Sequence, residues 1–119
     1  MVVDAANVVG SVPDGWWRDR RGATERLRDA LSARPAESLP GELVLVVEGA
    51  ARGVEPVPGV LVHAAPGSGD DAIVSLVRSS RTGAADRPVV VVTADRGLRD
   101  RVRALGATVV GPGTVRRNP

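Results

Sequence analysis

Continuous runs of valine and leucine are the feature that most constrains the fold of this chain. Five apolar segments are short and do not alternate with polar residues: 1–4, 43–47, 60–64, 88–93 and 107–110. Strands of this kind are typical of parallel sheets that helices cover on both faces. Three of the intervening segments carry apolar residues at helical spacing: 16–34, 70–80 and 96–105. We therefore predict an α/β fold, a single three-layer domain with a mostly parallel five-stranded sheet flanked by helices.

The chain has 119 residues, which favours one domain. We predict that residues 1–111 form this domain and that residues 112–119 form a basic, flexible tail. There is no cysteine, so disulfides and thiolate metal sites are excluded. No apolar run approaches the roughly 20 residues of a membrane span. We expect no signal peptide, because the first predicted strand begins almost at once. We expect a cytoplasmic protein without a membrane partner.

The link between the second and third strands, residues 49–59, contains no predicted helix. A parallel crossover usually needs a dozen or more residues. Eleven residues that include Pro56 and Pro58 could span the distance in extended form. A hairpin would instead place Asp70 at the opposite edge of the sheet from Asp4.

Carboxylates follow the apolar runs. Asp4, Glu48 and Asp95 each come at the end of a run, and Asp70 and Asp71 follow the third strand after a glycine turn. In parallel sheets, sites form outside the carboxyl ends of the strands. Acids gathered there repel one another and raise each other's pKa unless a cation relieves them. Oxygen ligands suit Mg²⁺ or Mn²⁺, so this edge of the sheet is a candidate metal site.

Helical spacing separates the two adjacent acids. Asp70 lies three, four and seven residues before Ile73, Val74 and Val77, so it heads the core-facing stripe, whereas Asp71 heads the solvent side. Each acid also has an ordinary structural interpretation. Asp70 and Asp95 stand where helices begin, a position that favours an N-cap. Asp4 alone could be a turn residue, and Glu48 a loop acid.

Three short motifs resemble those of NYN domains in the PIN-like nuclease superfamily. Asp4-Ala5-Ala6-Asn7 is similar to the Asp-x-x-Asn that ends their first strand. Gly69-Asp70-Asp71-Ala72-Ile73-Val74 resembles their helix-opening acid motif, and Thr93-Ala94-Asp95-Arg96 resembles their Thr/Ser-x-Asp. The motifs occur in order and span nearly the whole chain.

The resemblance implies a metal-dependent ribonuclease that hydrolyses RNA phosphodiester bonds with Mg²⁺ or Mn²⁺. It implies that the metal ligands are Asp4, Asp70 and Asp95, that Asn7 orients a ligand or the scissile phosphate, and that Thr93 supports the site. Glu48 and Asp71 complete the candidate ligand set. The expected partner is RNA. The chain is also compatible with a homodimer, and an antitoxin partner has no support in the sequence.

Other functions fit parts of the sequence. Gly67-Ser68-Gly69-Asp70-Asp71-Ala72 matches the dinucleotide-binding pattern, but two carboxylates at that helix start would repel a pyrophosphate. A receiver domain would need a phosphoacceptor Asp at the end of its third strand, and residues 60–64 offer none. A non-catalytic RNA-binding or protein-interaction domain of the same fold is the main alternative. The arginines of the first helix could contact phosphates, although a solvated helix face is their ordinary interpretation. One of the adjacent Trp16 and Trp17 could stack on a base or be partly buried against the sheet.

Overall fold

The computed structural model describes residues 1–12, 15–34, 42–83 and 89–116. The five strands are β1 (Val2–Asp4), β2 (Leu43–Val47), β3 (Val60–Ala64), β4 (Val90–Val92) and β5 (Thr108–Val110). The α-helices are α1 (Ala5–Val9), α2 (Arg20–Ser32), α3 (Gly69–Gly83), α4 (Arg96–Ala104) and α5 (Gly113–Arg116). Two short 3-10 helices, Trp16–Arg18 and Gly49–Ala51, precede α2 and follow β2.

The strands form one five-stranded sheet in the order β3-β2-β1-β4-β5, and every adjacent pair is parallel. The fold class predicted from the apolar runs is thereby confirmed. From β1 the chain builds outward to β2 and β3 on one side, and then to β4 and β5 on the other. The strand order reverses between β1 and β4. Open α/β sheets form their ligand sites at such a point, outside the carboxyl ends of the strands.

Alternate residues of the strands supply the two halves of an aliphatic core. Val3, Leu45 and Val47 are fully buried on the face that α1 and α2 cover. Val46 and Val91 are buried on the opposite face, against α3 and α4. The result is a three-layer arrangement with helices on both faces of the sheet. In the described part of the chain, no helix is both long enough and apolar enough to cross a membrane.

The link from β2 to β3 is a parallel crossover and not a hairpin, because Leu43 pairs with Val60 in parallel register. The side chains of α2 donate hydrogen bonds to its backbone carbonyls. Arg28 contacts the carbonyl of Glu55 at 2.8 Å, and Ser32 that of Pro58 at 2.7 Å. These bonds satisfy polar backbone groups that a helix would otherwise satisfy internally. Asp70 therefore follows a strand that ends at the same edge of the sheet as β1 with Asp4.

Two parts of the chain differ from the sequence prediction. Residues 5–9, for which no helix was predicted, form α1. The predicted helix over 16–34 is interrupted at Asp19, whose side chain accepts the backbone N–H of Gly22 at 2.9 Å and caps α2. Apolar spacing continued across this cap, so periodicity alone did not reveal it.

Residues 112–119 were predicted to form a flexible tail, and the described part of this segment contains a short helix. Residues 113–116 form α5, and Val115 is 1% exposed within the core on the α1 and α2 side. Arg34 donates a 2.6 Å hydrogen bond to the carbonyl of Val115. Val115 thus packs with the core of the described chain, and the last three residues lie outside the described part.

Candidate metal centre at the carboxyl edge of the sheet

Four of the predicted acids lie at the carboxyl edge of the central strands. Asp4 is the last residue of β1, Glu48 directly follows β2, and Asp95 directly precedes α4 after β4. Asp70 is the second residue of α3, after the turn that follows β3. Their charges act on one another: Asp70 and Glu48 raise the pKa of Asp4, and Asp95 and Glu48 raise the pKa of Asp70. The topology therefore gathers these four carboxylates around the point where the strand order reverses.

Asp4 is the most deeply buried of these acids, with 5% of its surface exposed. Its Oδ2 accepts a 2.9 Å hydrogen bond from the hydroxyl of Thr93. Its Oδ1 accepts a longer bond, 3.4 Å, from the backbone N–H of Asn7 and so caps the first turn of α1. Asp4 thus caps α1 through Oδ1, and through Oδ2 it is hydrogen-bonded to the residue that follows β4 at Val92.

The surroundings of Asp4 hold its pKa at about 6, well above the usual value for aspartate. Burial is the largest cause, because the charged form loses its hydration. The hydrogen bonds from Thr93 and Asn7 oppose this effect, and the charges of Asp70 and Glu48 add to it. The carboxylate therefore carries its charge at neutral pH at an energetic cost, which a nearby cation would offset.

Separate hydrogen bonds fix Asn7 and Asp95 to the connection between β4 and α4. The side-chain oxygen of Asn7 accepts the N–H of Ala94 at 2.8 Å. Thr93 Oγ1 accepts the N–H of Asp95 at 3.2 Å, and Asp95 Oδ1 accepts the N–H of Leu98 at 2.9 Å as the N-cap of α4. The first turn of α1 and the β4–α4 connection are therefore held in fixed relation across the switch point.

Glu48 contacts the start of α3. Its Oε2 accepts the backbone N–H of Gly69 at 2.6 Å, which satisfies one of the free donors at the helix start. A Cβ at position 69 would lie 3.0 Å from Glu48 Cδ and 3.1 Å from Oε2. Glycine at this position therefore makes room for the glutamate, which is held against the helix beside Asp70.

Asp70 and Asp71 have different surroundings, although they are adjacent. Burial is the main cause that raises the pKa of Asp70, followed by the charges of Asp95 and Glu48, while Arg101 lowers it. The side chain of Asp71 is 72% exposed and forms a 3.0 Å salt bridge with Arg101. Asp71 thus lies outside the group of four and already has a cationic partner. Neither acid is the N-cap of α3, because Ser68 precedes the helix and its Oγ accepts the N–H of Asp71 at 3.4 Å.

None of the four clustered carboxylates takes part in a salt bridge among the described residues. As their side chains stand, no three or more described His, Cys, Asp or Glu residues form a ready cage for a metal ion. The donors are all carboxylate oxygens, which suit Mg²⁺ or Mn²⁺. The group therefore fits a hard divalent cation in chemistry and charge, and binding would require some of the exposed or half-buried side chains to turn inward.

Several contacts of this site were not predicted from the sequence. Three features that position the candidate residues were not foreseen: the helical turn α1, the contact between Glu48 and Gly69, and the hydrogen bond from Ala94 to Asn7. One signal for α1 was present: Ala5, Val8 and Val9 have the i, i+3, i+4 spacing of a helix behind a capping aspartate. The contact between Glu48 and Gly69 has no local signal, because it depends on where β2 and α3 meet.

A solved structure with a similar fold is a mutant of Rae1 (YacP) from Bacillus subtilis. The two chains superpose with a TM-score of 0.71 at 18% sequence identity, over 98% of this chain and 70% of that one. At this identity, the similarity shows a shared fold. No protein-family model matches the chain, and no curated protein matches its sequence.

Proposed function

We propose that this chain is a metal-dependent ribonuclease of the NYN group. The observation that carries the proposal is the gathering of Asp4, Glu48, Asp70 and Asp95 at the switch point without a salt-bridge partner among the described residues. Uncompensated carboxylates destabilise a fold, so their gathering is easiest to understand as a site for a cation. The three motifs that resemble NYN domains supply Asp4, Asp70 and Asp95, and the fold supports that resemblance.

In this proposal, Asp4, Asp70 and Asp95 hold Mg²⁺ or Mn²⁺, and Glu48 completes the ligand set. The bound cation would polarise a phosphoryl oxygen and lower the pKa of a coordinated water. Asn7 would position the substrate. Because its side-chain oxygen faces the N–H of Ala94, its amide nitrogen is left to donate to a phosphate oxygen.

The structure weakens the alternative of a dinucleotide site at Gly67-Ser68-Gly69. A pyrophosphate would have to bind the free N–H groups at the start of α3. Glu48 occupies the N–H of Gly69, and Asp70 and Asp71 add two negative charges to the first turn. An anion would therefore meet repulsion from three carboxylates. The same feature favours a cation.

The test is cleavage of an end-labelled single-stranded RNA by the purified protein with Mn²⁺, compared with the same reaction in EDTA. We expect Asp95→Asn to abolish cleavage and to keep the fold, because asparagine is also a good N-cap. Asp100→Asn is the matched control, since Asp100 lies on the same helix and is exposed. It should cleave at the wild-type rate.

Calorimetric titration with Mn²⁺ separates the ribonuclease from a non-catalytic RNA-binding domain. Metal binding and cleavage that are both lost in Asp95→Asn support the proposal. If the wild-type protein binds RNA but neither binds Mn²⁺ nor cleaves, the acids serve as caps and the binding-domain alternative is correct.

A further inference from the structure

A cavity of about 400 Å³ lies beside the group of carboxylates. Glu48 belongs to both, because it lines the cavity and interacts with Asp4 and Asp70. Cavities of roughly 300–1,000 Å³ are typical of small-molecule sites. Whatever binds here would therefore lie next to the residues proposed to act on a phosphodiester.

The walls of the cavity combine apolar and aromatic surface. Ala5, Val9 and Ala51 are buried residues of its lining, and Trp16 contributes a half-buried indole. Small aliphatic side chains beside an indole leave room for a flat ring and offer it apolar contact. A nucleobase has this shape, and stacking on aromatic side chains is the usual way in which single-stranded nucleic acids are bound.

Arg20 supplies a positive charge for the phosphate that is attached to such a base. Its guanidinium lies 5.3 Å from the centre of the Trp16 ring, and it also lines the cavity. Two other arginines of α2 form salt bridges: Arg21 with Glu25 and Arg28 with Asp29. Arg20 forms no salt bridge within the described ranges of the chain, so its planar donors remain available for phosphate oxygens. Next to this pair, Arg18 lies 5.9 Å from the ring of Trp17, which is 54% exposed.

We propose that this cavity binds one nucleobase of a single-stranded RNA, with Trp16 as the aromatic wall and Arg20 contacting the adjacent phosphate. The proposal rests on the ribonuclease function, because it places the base next to the bond to be cleaved. It adds a specific subsite to that function: the enzyme would require an unpaired nucleotide beside the scissile phosphate. Double-stranded RNA could not insert a base and would be a poor substrate.

Binding is measured in EDTA, so that it does not depend on cleavage. Arg20→Gln should raise the Kd for a short single-stranded RNA by about tenfold, which is about 1.4 kcal/mol. Arg26→Gln is the matched control: it removes the same charge from an exposed position of α2 that does not line the cavity. Equal losses of affinity in the two variants would mean that Arg20 acts only through general charge, and would overturn the proposal.

Tryptophan fluorescence tests the base contact directly. The chain has two tryptophans, so Trp17→Phe leaves Trp16 as the sole fluorophore. Single-stranded RNA should change its emission saturably, whereas an abasic oligonucleotide of equal length should not. Equal responses to both would also overturn the proposal. Base-dependent binding without any cleavage would contradict the ribonuclease function and support the base-binding cavity. Cleavage without base-dependent binding would support the ribonuclease function and contradict the base-binding cavity.

Discussion

The hydroxyl of Thr93 donates a buried 2.9 Å hydrogen bond to Oδ2 of Asp4, across 89 positions of sequence. The bond joins the ends of β1 and β4, the two strands that flank the reversal of strand order. The same hydroxyl oxygen accepts the N–H of Asp95 at 3.2 Å. One small side chain therefore positions two of the three acids proposed to hold the metal.

Replacement of Thr93 by valine should destabilise the protein and weaken metal binding. Valine keeps the shape but leaves an oxygen of the buried Asp4 without its donor, a loss of about 1–3 kcal/mol. It also removes a hydrogen bond that lowers the pKa of Asp4. Urea denaturation and Mn²⁺ titration measure the two effects. Thr93→Ser keeps the hydroxyl and should retain metal binding; equal metal affinity in the valine variant would contradict the positioning role.

In EDTA, the free energy of unfolding should fall as the pH rises from about 4 to about 6. The pKa of Asp4 is raised to about 6 in the folded protein, mainly by burial, whereas an unfolded chain has the ordinary value of about 3.9. Between these values, the folded state retains a proton that the unfolded state has lost, so stability decreases with pH. A separation of about two pH units corresponds to about 3 kcal/mol.

Asp70 should contribute in the same direction, since its pKa is also raised. Urea denaturation at a series of pH values, for the wild type and for Asp4→Asn, isolates the effect of Asp4. The difference in stability between the two should change through this window, because asparagine does not titrate. Parallel profiles would show that the pKa of Asp4 is not raised.

Mn²⁺ should raise the melting temperature at neutral pH, because it would bind only the folded carboxylate group. At a free concentration of 100 times its Kd, the gain is about 2.7 kcal/mol. Asp70→Asn should lose most of this gain. In EDTA the same variant should be at least as stable as the wild type, since the repulsion from Asp95 and Glu48 is relieved.

The control for this measurement is again Asp100→Asn, which should melt as the wild type does with and without Mn²⁺. Differential scanning fluorimetry provides both comparisons. The same Mn²⁺-dependent shift in Asp70→Asn and Asp100→Asn would place the metal elsewhere.

Two glycine substitutions should have different effects on stability. In Gly97→Ala the added Cβ would meet Asp95 Oδ1 at 3.5 Å, an ordinary contact, so the gain in helix propensity should stabilise α4 by about 0.5–1 kcal/mol. In Gly69→Ala the Cβ would lie 3.0 Å from Glu48 Cδ. Glu48 would have to move, which should cancel the propensity gain and weaken Mn²⁺ binding. Thermal melting and calorimetry measure both, and equal behaviour of the two variants would show that Glu48 is not fixed by position 69.

Much of the fold was predictable, because its strands are buried on both faces. The short apolar runs marked all five strands and indicated a mostly parallel sheet. The sequence left open the direction of β3, because no helix was predicted in the link before it. Its carbonyls are satisfied by donors from α2, such as Arg28 to Glu55, which are 27 residues apart. Contacts of this range have no signature in local periodicity.

The candidate acids were identified from their positions at strand ends, yet their surroundings were not predictable. The spacing argument separated Asp70 from Asp71, and the structure places them in different environments. The N-cap interpretation of Asp95 agrees with the structure, whereas the helix that Asp4 caps was not predicted. The cavity was also not predictable, because Trp16 and Glu48 come to line it together only when α1 and α2 pack against the sheet.

The capping role of Asp4 and Asp95 has a consequence for how such a domain can change over evolution. Each accepts a backbone N–H at a helix start, a task that asparagine or serine performs nearly as well. A single substitution at either position could therefore abolish the proposed metal site and leave the architecture intact. A descendant of this domain could keep the fold and the cavity beside Trp16 and lose the proposed cleavage activity, so that it bound RNA without cutting it.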